Sequence, residues 1–239
     1  MSRMLALFLA CLLPGMALAE TVVPLTVGGT EVRIAVDDGY LRTSEHAPEM
    51  HAITAAALPP GNRLIEAFMS PQDAKRFLLQ QKAQDIYLQV QVLRKAEAHV
   101  FSDAEWREGR PLVAQQLGAL DMRAILSAQQ DDAGKRMSAL SGAKVDVRFG
   151  DPGKPVLYGS DQDSALRFVM LTPVTVMVND KQEQLLLECA GAVVVLNGKL
   201  LYLYAYRNHE PGADTTIVRA ALDRFVDRAL VLNAAASTE

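Results

Sequence analysis

Cysteine is scarce in this chain: Cys11 and Cys189 are the only two in 239 residues. That excludes a disulfide scaffold and any paired C-x-x-C metal or redox site. Excess positive charge is also missing, with 24 Lys and Arg against 28 Asp and Glu and a formal net charge of −4. Without a concentrated basic surface there is nothing to hold a phosphate backbone, so no nucleic-acid partner is expected. Long hydrophobic runs are lacking too. The apolar stretch Met4 to Leu13 falls short of the roughly 20 residues a membrane-spanning helix needs. Catalytic signatures are equally sparse: G-x-S-x-G and H-E-x-x-H do not occur, and Gly191 and Gly198-Lys199 are too widely spaced for a phosphate loop. What is present is apolar substance, 50% of residues with only 22% charged, enough to build a sizeable core and too much for a disordered chain.

The amino terminus carries an address. Arg3 precedes the Met4 to Leu13 run, Pro14-Gly15 breaks it, and Ala17-Leu18-Ala19 precedes Glu20. This is the pattern of a cleavable signal peptide cut after Ala19, which predicts a periplasmic or secreted chain of residues 20–239 forming one domain. Cys189 is then the sole cysteine of the mature protein, so the core must hold without a disulfide. Its apolar surroundings read as a buried structural thiol. Lipid attachment at Cys11 is the alternative fate of this segment and would give a tethered envelope factor.

Thr21 to Val27 and Thr30 to Val36 flank Gly28-Gly29 as a β-hairpin. A helix is expected from Pro48 to Leu58, a strand over Arg63 to Met69, and a helix opened by Ser70-Pro71 and Asp73 running to Gln81. Asp85 to Lys95 alternates Ile86, Leu88, Val90 and Val92 with Tyr87, Gln89 and Gln91, a strand with a buried face and a wetter one. Ser102-Asp103-Ala104-Glu105 is a capping box whose helix runs to Leu120, with Pro111 expected to kink or restart it. Met122 to Leu140 gives no clear period and has a polar break at Gln129 to Lys135. Strands follow at Lys144 to Phe149, Val156 to Tyr158, Leu166 to Val178, Gln184 to Leu196 and Leu200 to Arg207. A last helix, capped by Asp214 or Thr215, turns Ile217, Val218, Leu222, Phe225, Val226 and Leu230 inward.

Asn197-Gly198 is the strongest turn signal, because both central positions of a two-residue hairpin need positive φ. Counting outward pairs Leu196 with Lys199, Val193 with Tyr202, Gly191 with Tyr204, Cys189 with Tyr206 and Glu188 with Arg207. Gly191 then leaves room for an aromatic neighbour, and Glu188 and Arg207 make a cross-strand charge pair. Cys189, Gly191, Val193, Tyr202, Tyr204 and Tyr206 share one face; Ala190, Ala192, Val194, Leu201, Leu203 and Ala205 share the other. Two apolar faces place this hairpin centrally in an antiparallel sheet covered on both sides, an α+β sandwich of helix, sheet and helix. The row Tyr202, Tyr204 and Tyr206 reads as core with hydroxyls at a rim. It is also where a ligand would be sought, with His209 at the strand's end.

Glu45-His46-Ala47-Pro48-Glu49-Met50-His51 is the one cluster of metal-ligand residue types, and His46, Glu49 and His51 are its weak candidate ligands. The two histidines are five apart and miss the i, i+4 spacing of one helical face, so no metal or other cofactor is predicted. His209 and Glu210 are expected to meet Asp180 at one end of the sheet, and Asp161, Asp163 and Asn197 to gather at the other.

Val32-Arg33-Ile34-Ala35-Val36-Asp37-Asp38-Gly39-Tyr40 resembles the opening strand of PsbP-like proteins. Gly198-Lys199-Leu200-Leu201-Tyr202-Leu203-Tyr204-Ala205-Tyr206, with Leu222-Asp223-Arg224-Phe225, is similar to their closing strand and helix. The resemblance implies an α/β/α sandwich with a central antiparallel sheet, a fold shared by a photosystem II extrinsic subunit, a Ran-binding nuclear protein and many bacterial exported proteins of unassigned role. The expectation is an exported non-catalytic protein, monomer or homodimer, that binds a protein partner or small ligand at one end of the sheet. A metal-assisted hydrolase using His46, Glu49, His51 or His209 is the enzyme alternative.

Overall fold

Turn chemistry and helix caps set the elements. In a computed structural model that describes residues 20–79, 81–159, 164–210, 212, 214 and 216–234, ten strands and six helices follow in order. They are β1 (Glu20–Val27), β2 (Thr30–Asp37), β3 (Leu41–Arg42), α1 (Thr43–His46), α2 (Pro48–Ala57), β4 (Asn62–Met69), α3 (Pro71–Leu78) and β5 (Tyr87–Leu93). Then come α4 (Asp103–Ala119), α5 (Met122–Ser141), β6 (Val145–Phe149), β7 (Val156–Tyr158), β8 (Ala165–Val178), β9 (Lys181–Leu196), β10 (Lys199–Asn208) and α6 (Thr216–Ala234). The expected signal segment, with Cys11, and Asp161, Asp163 and Thr215 lie outside the described residues.

The main sheet is antiparallel, in the order β3-β4-β5-β10-β9-β8-β6, with β7 also on β8. Asn197 and Gly198 take φ of 46° and 75°, and β9 and β10 pair in the predicted register throughout, from Leu196 with Lys199 to Glu188 with Arg207. The hairpin is central, as its two apolar faces require. Ala190, Ala192, Val194, Leu201, Leu203 and Ala205 pack under α6, while Cys189, Val193 and the three tyrosines face Trp106, Val113 and Leu117 of α4. The layers are therefore helix, sheet and helix. β1 and β2 form a separate two-stranded sheet whose Val23, Leu25, Val27, Val32, Ile34 and Val36 complete the α6 side of the core.

Local signals place the helix starts. Ser70 accepts the Asp73 amide at 3.0 Å, both halves of the Ser102–Glu105 capping box are made, and Asp214 accepts the Thr216 amide at 2.8 Å. Several expectations need correction. α3 ends at Leu78, short of Gln81. α4 is one helix through Pro111, and α5 runs unbroken across the polar stretch because its buried stripe is small. Ala133 and Gly134 fill it, and a Cβ on Gly134 would stand 3.0 Å from the Val145 carbonyl. Ile217 faces water, since the inward stripe of α6 begins at Val218.

Candidate functional site

The tyrosine row is built by the central hairpin and extended by β5. Tyr202, Tyr204 and Tyr206 are half-buried and lie across from Gln91, Gln89 and Tyr87. Their rings stack, with centroids 6.4 Å and 5.6 Å apart, and Phe168 meets Tyr204 edge-on at 6.2 Å. The supposedly wet face of β5 is dry here. Gln89 and Gln91 are buried; Gln91 Nε2 donates to Gln89 Oε1 at 2.7 Å and takes the Asn62 amide at 3.0 Å on its own oxygen. The amides bond to one another because helices cover this face. The aromatic over Gly191 is Phe168, from β8, not Tyr204.

Burial sets the acid-base state of the row. Cys189 is buried and its thiol is pushed up to about 12, mainly by burial, with the Tyr206 hydroxyl hydrogen-bonded to it. Burial likewise holds the Tyr202, Tyr204 and Tyr206 hydroxyls above their ordinary range. These groups stay protonated and neutral, and the thiol is not a nucleophile at neutral pH.

From Tyr87 a polar chain runs to the surface. Its hydroxyl lies 2.8 Å from Thr54 Oγ1; Thr43 Oγ1 lies 2.9 Å from His51 Nδ1; and that same nitrogen is 3.6 Å from Glu66 Oε1. Glu66 is buried and accepts from Arg42 Nε at 3.0 Å and Ser44 Oγ at 2.6 Å. One imidazole nitrogen facing both hydroxyl and carboxylate cannot relay a proton between them, which needs the two opposite nitrogens. His46 and Glu49 stand exposed on the surface while His51 turns inward, and among the described residues no group of three His, Cys, Asp or Glu side chains is placed to hold a metal.

His209 sits at the end of β10, mostly buried. It does not meet Asp180, because β9 runs on past the end of β10 and its turn lies six residues beyond Leu186, about 20 Å away. Its ring meets Glu188 instead, Nδ1 to Oε2 at 3.6 Å, beside the predicted Arg207–Glu188 pair at 3.2 Å. Glu188 is 0% exposed, and its Oε1, the Arg207 Nε and the His209 Nδ1 have no hydrogen-bond partner among the described residues. Sequence reasoning missed further buried charges, among them Arg167, which ion-pairs with Asp223 and Asp227 of α6. Glu66 is marked only by interrupting an apolar strand. Lys199, 1% exposed, donates from Nζ to the carbonyls of Glu97 and His99 at 3.1 Å each, a role no local pattern announces. A concavity of about 500 Å³ lies elsewhere, between α5 and β6, where Arg148 is paired with Asp131 and Asp146.

These features define a mixed α+β chain with a large antiparallel sheet packed between helices. A solved structure to which it is similar is the Ran-binding protein Mog1p of Saccharomyces cerevisiae, with a TM-score of 0.37 and 10% identity over 91% of this chain and 95% of that one. No family model matches the chain. No curated protein matches it either.

Proposed function

We propose that this is an exported, non-catalytic module that binds a protein partner at the end of the sheet where β10 stops. The observation that carries the reading is the pair Leu78 and Leu79, 79% and 57% exposed at the end of α3. Adjacent leucines left in water mark contact surfaces more often than isolated ones do. The segment that follows them reaches the end of β10, where Asn208 Nδ2 donates to the Ala83 carbonyl at 2.8 Å and Lys82 ion-pairs with Glu183 at 2.7 Å. The sealed Cys189 thiol and the inward-turned His51 support a binding role over nucleophilic chemistry. Export is supported by the Ala17-Leu18-Ala19 signal and by Glu20, the first residue of the expected mature chain, which opens β1 opposite Asp37 of β2 and ion-pairs with Arg228 at 2.8 Å.

The test is to express the full chain with a photo-crosslinking residue at position 79 or, as control, at Val231, 72% exposed on α6. Intact mass of the envelope fraction should give an amino terminus at Glu20 and an adduct from position 79 alone. Equal labelling from both positions would overturn the partner surface, and a chain retaining residues 1–19 would overturn export.

A further inference from the structure

The strand lengths leave part of the sheet without a neighbour. β8 and β9 have 14 and 16 residues, and β10 has 10. Val178 pairs with Lys181 across the Asn179-Asp180 turn, so Lys181, Glu183 and Leu185 turn their backbone groups toward β8. Gln182, Gln184 and Leu186 turn theirs to the other side. The His209 amide takes the Leu186 carbonyl at 2.7 Å, in keeping with that alternation. There the path of β10 ends, for Arg207 already holds the Asp214 carbonyl at 3.0 Å. Gln182 and Gln184 are exposed, and no described residue hydrogen-bonds to their outward amides and carbonyls.

We propose that this overhang receives an extended segment of a protein partner by strand addition, antiparallel to β9 and end to end with β10, on the backbone groups of Gln182 and Gln184. The inference rests on the protein-binding reading above and states how the partner is held. Outward groups on alternate residues repeat every 7 Å or so, which is the main-chain spacing of another strand and not of a compact ligand. Lys82, three residues past Leu79, ion-pairs with Glu183 of the overhang, so the chain that carries the exposed Leu78-Leu79 step leads to this edge. Glu183, by contrast, spends its own amide on the ladder to β8.

That alternation supplies the test. Gln184→Pro deletes one outward donor and no bond of the β8 ladder, and proline is tolerated at such an edge. Gln184→Ala changes the side chain and keeps the donor. Peptides selected from a displayed library on the mature chain would be measured by fluorescence polarisation against both variants and against Leu79→Ser, with thermal melts as the fold control. The expected result is about a tenfold loss for Gln184→Pro, the worth of one main-chain hydrogen bond, and none for Gln184→Ala. Equal binding by the two, or a library that yields no binder, overturns strand addition. Binding lost only in Leu79→Ser would also overturn it while leaving the protein-binding reading standing. A concentration-dependent dimer abolished by Gln184→Pro would assign the edge to a second copy of the chain instead.

Discussion

Gly191 is occupied space. A Cβ there would lie 2.4 Å from the Phe168 ring, whose edge-on contact with Tyr204 fixes the aromatic row. Gly191→Ala therefore overpacks a site that cannot yield cheaply, and we expect a loss of about 2 kcal/mol in urea unfolding. Phe168→Leu alone also destabilises, but the double variant should recover part of the loss, since the ring that clashed is gone; strict additivity would refute the contact. Cys189 makes a second residue-scale prediction. Its thiol rises from 9.0 to about 12 on burial, and a raised value stabilises the fold below the unfolded value and loses that stabilisation as pH climbs toward the folded one. Stability should fall between about pH 9 and 12 with the buried tyrosines adding to the slope, and a chromogenic disulfide reagent at about pH 9 should label Cys189 only at the unfolding rate. Prompt labelling of the native protein would contradict the burial. The same short-range chemistry explains why the Asn197-Gly198 turn, the Ser70 and Ser102 caps and the whole β9–β10 register were legible in the sequence. Each depends on positive φ or on a side chain a few residues away, whereas the burial of Gln89, Glu66 and Lys199 depends on segments far along the chain.

At the scale of elements, the outer edges of β6, β1 and β2 are each closed or blunted by a different device, while the overhang of β9 is left open by the described residues. Along β6 the outward groups go to α5, with the Val145 amide on Ser138 Oγ at 2.8 Å and the Phe149 amide near Gln130 Oε1 at 3.4 Å. Pro24 takes an outward position on β1, where its missing N–H leaves nothing to pair. On β2, Asn233 of α6 acts as a strand substitute: its amide accepts the Arg33 N–H at 3.0 Å and donates to the Arg33 carbonyl at 2.8 Å. Asn233→Ala should cost about 2 kcal/mol, because both Arg33 backbone groups lose a buried partner, and should speed amide exchange at Arg33 ahead of its neighbours. Unchanged protection at Arg33 would mean that water replaces the side chain without penalty. None of these closures was visible in the sequence: a lone Asn in a helix, or a polar break in α5, becomes meaningful only once the strand it meets is known. The overhang of β9 was hidden for the same reason. β10 ends one residue past the expected Arg207, but β9 starts at Lys181, three residues before the expected Gln184, and the overhang lies in that difference.

Across the whole molecule the two faces of the sheet are unequally held. Beneath α6, seven of that helix's residues are buried, among them Val218, Leu222, Phe225 and Val226, and the β1–β2 hairpin closes over the same cluster. On the tyrosine face α4 buries only Leu117, at 9% exposure, and the interior there is partly amide and hydroxyl. Apolar burial is the main stabilising term, so the first face carries most of the stability and the second is the place for local opening. Leu222→Ala should cost about 4 kcal/mol and Leu117→Ala about 2, since a cavity left in a fully enclosed site cannot collapse onto solvent-facing neighbours. Native-state hydrogen exchange provides the complementary reading. Amides of α4 should exchange through openings well below the global unfolding energy, while those of α6, β9 and β10 should exchange only near it. Equal protection on both helices would show that the tyrosine face unfolds as one unit with the rest, and the unequal division of stability would have to be abandoned.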